Sequence, residues 1–112
     1  MLTRYSRETY RTSDGSMLFD FLFCEYSDLN TWRIYIINDI SYSSSLSNNY
    51  HLTHRLHDIG EDYDYICWEG SITTLEKAKA VASLWADCTA IMIKTRRNFD
   101  DICAELLKKE DD

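Results

Sequence analysis

Residues 73–97 read TTLEKAKAVASLWADCTAIMIKTRR, and the period of this stretch is helical. Leu75, Ala78, Val81, Ala82, Trp85, Cys88 and Met92 recur at three- and four-residue steps, with Leu84 and Ile91 widening the stripe. The spacing predicts a helix over 74–95. Thr73 stands where a cap is needed, with Glu76 as its reciprocal partner, and Lys94, Arg96 and Arg97 complement the negative end of the dipole. The apolar arc is wider than one packed surface requires, so either a sheet and a further helix both lie on it, or a second copy of the chain does.

The segments upstream have the other period. In 16–25, Met17, Phe19, Phe21 and Phe23 fall on one face, and Leu18, Asp20, Leu22 and Cys24 on the other. A strand with one strongly core-facing side follows, its other side only partly covered. TRYSRETYR at 3–11 alternates without a clean apolar face, as a solvated edge strand does. Asp14-Gly15 between the two is a hairpin signal, because both central residues of a tight primed turn tolerate positive φ. TWRIYIIN at 31–38 and YDYICWE at 63–69 read as further strands. Residues 39–49, DISYSSSLSNN, form a Ser/Asn-rich loop. A short helix is expected at 50–58, with Asn49 as N-cap, Gly60 ending it, and Leu52, Leu56 and Ile59 lining one face. Asn98 can cap a final helix over about 99–109 that carries Phe99, Ile102, Cys103, Leu106 and Leu107. The order predicts one α+β domain over 1–112. It is an antiparallel sheet of three to four strands with the long helix across one face and the short helix after it.

Charge narrows the functional classes. Twelve Lys and Arg stand against nineteen Asp and Glu, a net charge of −7 over 112 residues. Such a chain repels phosphate backbones, so direct nucleic-acid binding is not expected. The deficit centres on 36–70, where Asp39, Asp58, Glu61, Asp62, Asp64 and Glu69 face Arg55 alone. No apolar run has membrane-span length. Charges at Arg4, Arg7 and Glu8 interrupt the stretch a secretory signal would need, which places the expected site of action in the cytoplasm. Cys24, Cys67, Cys88 and Cys103 are widely spaced without a C-x-x-C pair and read as buried free thiols.

All three histidines lie in HLTHRLH, at 51, 54 and 57, followed at once by Asp58. On a helix, His51, His54, His57 and Asp58 share one sector opposite Leu52, Leu56 and Ile59. Nitrogen and carboxylate ligands one turn apart suit a structural zinc ion, with Glu61, Asp62 and Asp64 at hand to complete the shell. The alternative is a row of solvated histidines on the outer face of an amphipathic turn. A strand over 50–57 would send His51 and His54 to opposite faces and abolish the site. Enzymatic signatures are absent: the sequence has no Gly-rich phosphate cradle, no H-E-x-x-H and no G-x-S-x-G. A thiol paired with one of the histidines would sit in acidic surroundings that disfavour a thiolate. The expected protein is not an enzyme.

Eight tyrosines are the other distinctive feature. Tyr42, Tyr50, Tyr63 and Tyr65 fall in or beside the acidic middle segment, and tyrosine among carboxylates is a usable protein-binding composition. The expected contact surface therefore comprises Asp58, Glu61, Asp62, Asp64 and Glu69 with Tyr42, Tyr50 and Tyr63. In size, acidity and missing catalytic signatures, the whole chain is similar to the small inhibitor proteins of phages and mobile elements, anti-CRISPR proteins in particular. That resemblance implies a non-catalytic inhibitor that binds an RNA-guided nuclease and blocks nucleic-acid loading or activity, acting in the host cytoplasm. It is carried by no motif and transfers no residue roles. Two other classes stay open: a metal-binding regulatory or sensing protein built on the histidine cluster, and a regulatory subunit that forms a homodimer through the 74–95 helix.

Overall fold

The computed structural model describes residues 2–42, 46 and 49–111. Strands β1 (Leu2–Arg11), β2 (Leu18–Tyr26), β3 (Thr31–Ile36), β4 (Arg55–Leu56) and β5 (Asp64–Ile66) form one sheet in the order β1-β2-β3-β5-β4. Every neighbouring pair is antiparallel. Helices α1 (Tyr50–Thr53), α2 (Leu75–Thr95) and α3 (Phe99–Asp111) complete the α+β architecture. The sheet has five strands where three to four are expected, because the two-residue β4 is too short to show a period. Part of the Ser/Asn-rich loop lies outside the described residues.

Alternation in β2 decides which side is the core. Phe19, Phe21 and Phe23 are buried on one face, and Trp85 of α2 meets Phe19 and Phe21 edge-on at centroid distances of 5.4 and 6.2 Å. Edge-to-face contact is the favoured geometry for such rings. Ala78, Ala82 and Ala86 keep the helix close to the sheet, and α3 packs on the far side of α2 through Phe99 and Ile102. The wide apolar arc is thus shared between the sheet and the final helix.

The opposite sheet face is covered at one end only. Register places Cys24, Arg33 and Tyr35 on that outer face with Tyr5, Arg7 and Leu22. Cys24 and Tyr35 are buried there, whereas Tyr5 is 72% and Leu18 50% exposed.

Several local expectations need correction. The β1–β2 turn is not a two-residue primed turn: Gly15 alone has positive φ, at 76°, and Gly15 N donates to Thr12 O. Asp14 instead accepts from Ser16 N, Ser16 Oγ and Thr12 Oγ1, a side-chain turn that needs no left-handed aspartate. Helix α2 is capped by Thr74, whose Oγ1 accepts from Lys77 N, so the Thr73–Glu76 box does not form. β3 and β5 are shorter than the apolar runs that signal them.

The helix expected over 50–58 is a single turn. Asn49 does cap it, its side chain accepting from Leu52 N. His54 then adopts the left-handed conformation, φ 51°, and the chain leaves as β4. Trp85 fixes that exit, its Nε1 donating to Thr53 O at 3.1 Å and His54 O at 3.2 Å. Replacing Trp85 by Phe keeps an aromatic ring in the core but removes the donor to Thr53 O, while His54 O keeps its bond from Cys67 N. Chemical denaturation should show a loss of about 1–3 kcal/mol, the cost of an unsatisfied buried group, and an unchanged midpoint would refute the role of this bond.

Candidate partner-binding surface

Two arginines organise the acidic segment. Arg55, at the start of β4, is only 6% exposed. Its Nε donates to Thr53 Oγ1 at 2.6 Å, Nη1 to Asp64 Oδ2 at 2.9 Å and Nη2 to Leu46 O at 3.2 Å. The guanidinium lies between two aromatic faces, 4.3 Å from the Tyr42 centroid and 4.4 Å from that of Tyr50. Planar stacking together with a carboxylate partner is a setting that suits arginine and not lysine. Asp64 also receives His57, with Nδ1 2.8 Å from Oδ1. Burial pushes the Tyr42 phenol up from its ordinary pKa.

Arg33 forms the second centre, on the outer face of β3. Its Nη1 donates to Asp58 Oδ2 at 2.8 Å, and its guanidinium stands 4.0 Å over the Tyr65 ring. Tyr65 Oη donates to Asp58 Oδ1 and Tyr35 Oη to Glu61 Oε1, at 3.1 and 2.9 Å. Burial opposes the Arg33 charge, but the hydrogen bonds it donates to Tyr35 and Asp58 outweigh it and raise the pKa. Burial, then the bond with Tyr26, raises the Tyr35 phenol. The Arg33 and Tyr65 donors hold Asp58 below the ordinary carboxylate range.

The expected contact residues therefore divide. Tyr42, Tyr50 and Asp64 gather around Arg55. Asp62, Tyr63 and Asp64 line one cleft of about 290 Å³ with Asp39, Tyr42 and Arg55. Asp62 and Asp39 are exposed and have no ion pair among the described residues, and Tyr63 is 45% exposed. Asp58 and Glu61 turn to Arg33 on the outer sheet face. Glu69 is exposed beyond the other end of β5 and joins neither group.

The four candidate metal ligands are not brought together. His51 and His54 stack loosely, with centroids 6.5 Å apart. The His54 ring lies on Phe99 at 4.4 Å, with Nε2 3.0 Å from Asp100 Oδ1, so it joins the segment to α3. His57 goes to Asp64, and Asp58 to Arg33. The left-handed turn at His54 ends the helix that would have aligned them, and this arrangement does not fit one ion. Among the described residues no other group of His, Cys, Asp and Glu does so.

Arg33, Tyr26, Tyr35 and Arg55 were not singled out by sequence. The available signal was a lone cation in an otherwise apolar strand and another among six carboxylates, since a charge in such a place must find a partner. A larger groove of about 770 Å³ runs along α2, lined by Tyr10, Trp68, Val81, Leu84, Ile91 and Leu106 among others. Asp87 on its rim is committed to the β1–β2 turn, accepting from Tyr10 Oη and from Ser13 N and Oγ. No helix among the described residues is long and apolar enough to cross a membrane. No family model, curated protein or solved structure matches the chain.

Two outcomes follow. Arg55→Met takes the arginine from the half-buried Asp64 and removes the bonds to Thr53 Oγ1 and Leu46 O, and urea denaturation should register a loss of about 2–3 kcal/mol, the scale of hydrogen bonds to a charged group. A change within error would remove Arg55 from its organising role. Because the Asp58 pKa is depressed on folding, its contribution is present above the ordinary value of 3.8 and disappears as pH falls through the lower folded value. The melting-temperature difference between the native chain and Asp58→Asn should therefore be constant near neutrality and close as the solution is acidified. A pH-independent difference would contradict the assignment.

Proposed function

We propose that the protein is a non-catalytic binding protein of the anti-CRISPR type, which occupies a basic surface of an RNA-guided nuclease. The observation that carries this reading is the cleft bounded by Asp39, Asp62, Tyr63 and Asp64. Its carboxylates at 39 and 62 are exposed without a counterion among the described residues, and its one lining cation, Arg55, is buried and paired. The cleft mouth is negative, and the wall behind it is held by stacked rings and a charge-assisted bond. A surface of this kind accepts arginine or lysine side chains with little rearrangement. The same cations in a nuclease channel hold phosphates, so occupying them excludes guide or target. Tyr63 adds an amphipathic ring suited to a contact centre.

The test mixes the intact chain with purified RNA-guided nucleases before guide RNA and target DNA are added. The reading expects retention at low ionic strength, slowed DNA cleavage, and at least a tenfold loss of affinity between about 50 and 300 mM salt. Asp39→Lys with Asp62→Lys should abolish both effects while far-ultraviolet circular dichroism is unchanged. Cleavage unaffected at saturating protein, or inhibition indifferent to salt and to the double variant, contradicts the proposal.

A further inference from the structure

We propose that two copies of this chain pair through the free edge of β1, antiparallel about a two-fold axis at Ser6, to give one continuous sheet. The two edges of the sheet differ sharply. β4 has two residues, whereas β1 has ten and, among the described residues, no strand hydrogen-bonded on its outer side. The chain has no proline and β1 no lysine, its register irregularity is confined to Leu2/Arg4, and three of its charges, Arg4, Arg7 and Glu8, are already matched by Glu25, Asp20 and Lys79, which weakens the protection that charge gives an edge.

Backbone alternation selects the groups that face outwards. Thr12 N donates to Met17 O, and these two residues continue the β1–β2 register. The even-numbered residues of β1 therefore point their backbone groups at β2. Tyr5, Arg7 and Thr9 point theirs at the open edge.

Only registers that match odd with odd residues can bond, and charge distinguishes among them. Centring the axis on Arg7 or on Glu8 sets like charges face to face. Centring it on Thr9 sets Arg7 against Arg11. Centring it on Ser6 sets Arg4 of each copy opposite Glu8 of the other, and Tyr5 opposite Arg7. Tyr5 and Arg7 then exchange backbone hydrogen bonds, and the exposed Tyr5 ring meets a guanidinium across the junction.

The intrachain pairs agree with this register. Arg4 is bound by Glu25 through Nε and Nη2, leaving Nη1 to a further acceptor. Glu8 rests 3.1 Å from Lys79, and Arg7 is held by Asp20. The junction then reads Glu25–Arg4–Glu8–Lys79 across the two copies, alternating in sign, so the acidity of the whole chain is not concentrated there. The contact is small, which makes the dimer a weak one.

Sedimentation velocity on the full chain should show a reversible dimer, with concentration followed up to about 500 µM. Arg4→Glu or Glu8→Arg should each weaken it about tenfold, two attractive pairs becoming repulsive, and the double variant should restore it. Ser6→Cys places a thiol on the axis at a non-hydrogen-bonded pair. Mild oxidation by oxidised glutathione should link it into a covalent dimer, whereas Thr9→Cys should not link. This second readout serves if a charge variant fails to fold. A single-copy mass throughout would leave the edge to a strand of another protein and overturn the proposal. A dimer indifferent to these substitutions, or a Thr9→Cys chain that links as readily, would overturn it in favour of another face.

Discussion

Arg55 is the cation on which the acidic half of the molecule depends. Six carboxylates between residues 36 and 70 would repel one another on any compact surface, yet the segment lies folded against the sheet. The guanidinium makes this possible by entering the interior, where a rigid fork can satisfy Thr53, Asp64 and Leu46 while two tyrosine rings screen it from water. An unpaired charge at that depth would be prohibitive, so the pairing is strict. Arg33 repeats the device nearer the surface, where solvent makes each bond weaker and the cluster more open to rearrangement.

The two arginines also sort the carboxylates by use. Asp58 and Asp64 are spent on holding the segment in place, whereas Asp39 and Asp62 remain on the cleft rim. A sequence-level count of negative charge cannot separate these roles, because it depends on which carboxylates the chain path delivers to the two cations.

The fold was legible where one period ran long enough. The phenylalanine alternation of β2 and the apolar stripe of α2 each identify their buried face, and Phe19, Phe21, Phe23 and Trp85 are buried as that reading requires. The helix expected over 50–58 from the spacing of Leu52, Leu56 and Ile59 forms only as one turn, Tyr50–Thr53. All three are exposed, Ile59 completely, while Thr53 and Arg55 are buried in their place. Bonds from Trp85 to the carbonyls of Thr53 and His54, and the place of Arg55 between two rings, outweigh local apolar spacing. The Trp85 bonds join residues 32 and 31 positions apart, and neither they nor the stacking of Arg55 leaves a periodic trace. The tyrosines and carboxylates of the contact surface were legible as composition, and their division between two arginines was not.

If the surface is built in advance by these internal cations, its backbone must be ordered in the free protein. Amide hydrogen exchange of the unliganded chain measures this directly at Thr53, His54 and Cys67, whose N–H groups donate to Asn49 O, His51 O and His54 O. The account predicts protection of these amides comparable with that of β3, lost together with it on global unfolding. Exchange within the dead time of the experiment while β2 and β3 stay protected would contradict it, and would mean that the acidic segment takes its shape only on a partner.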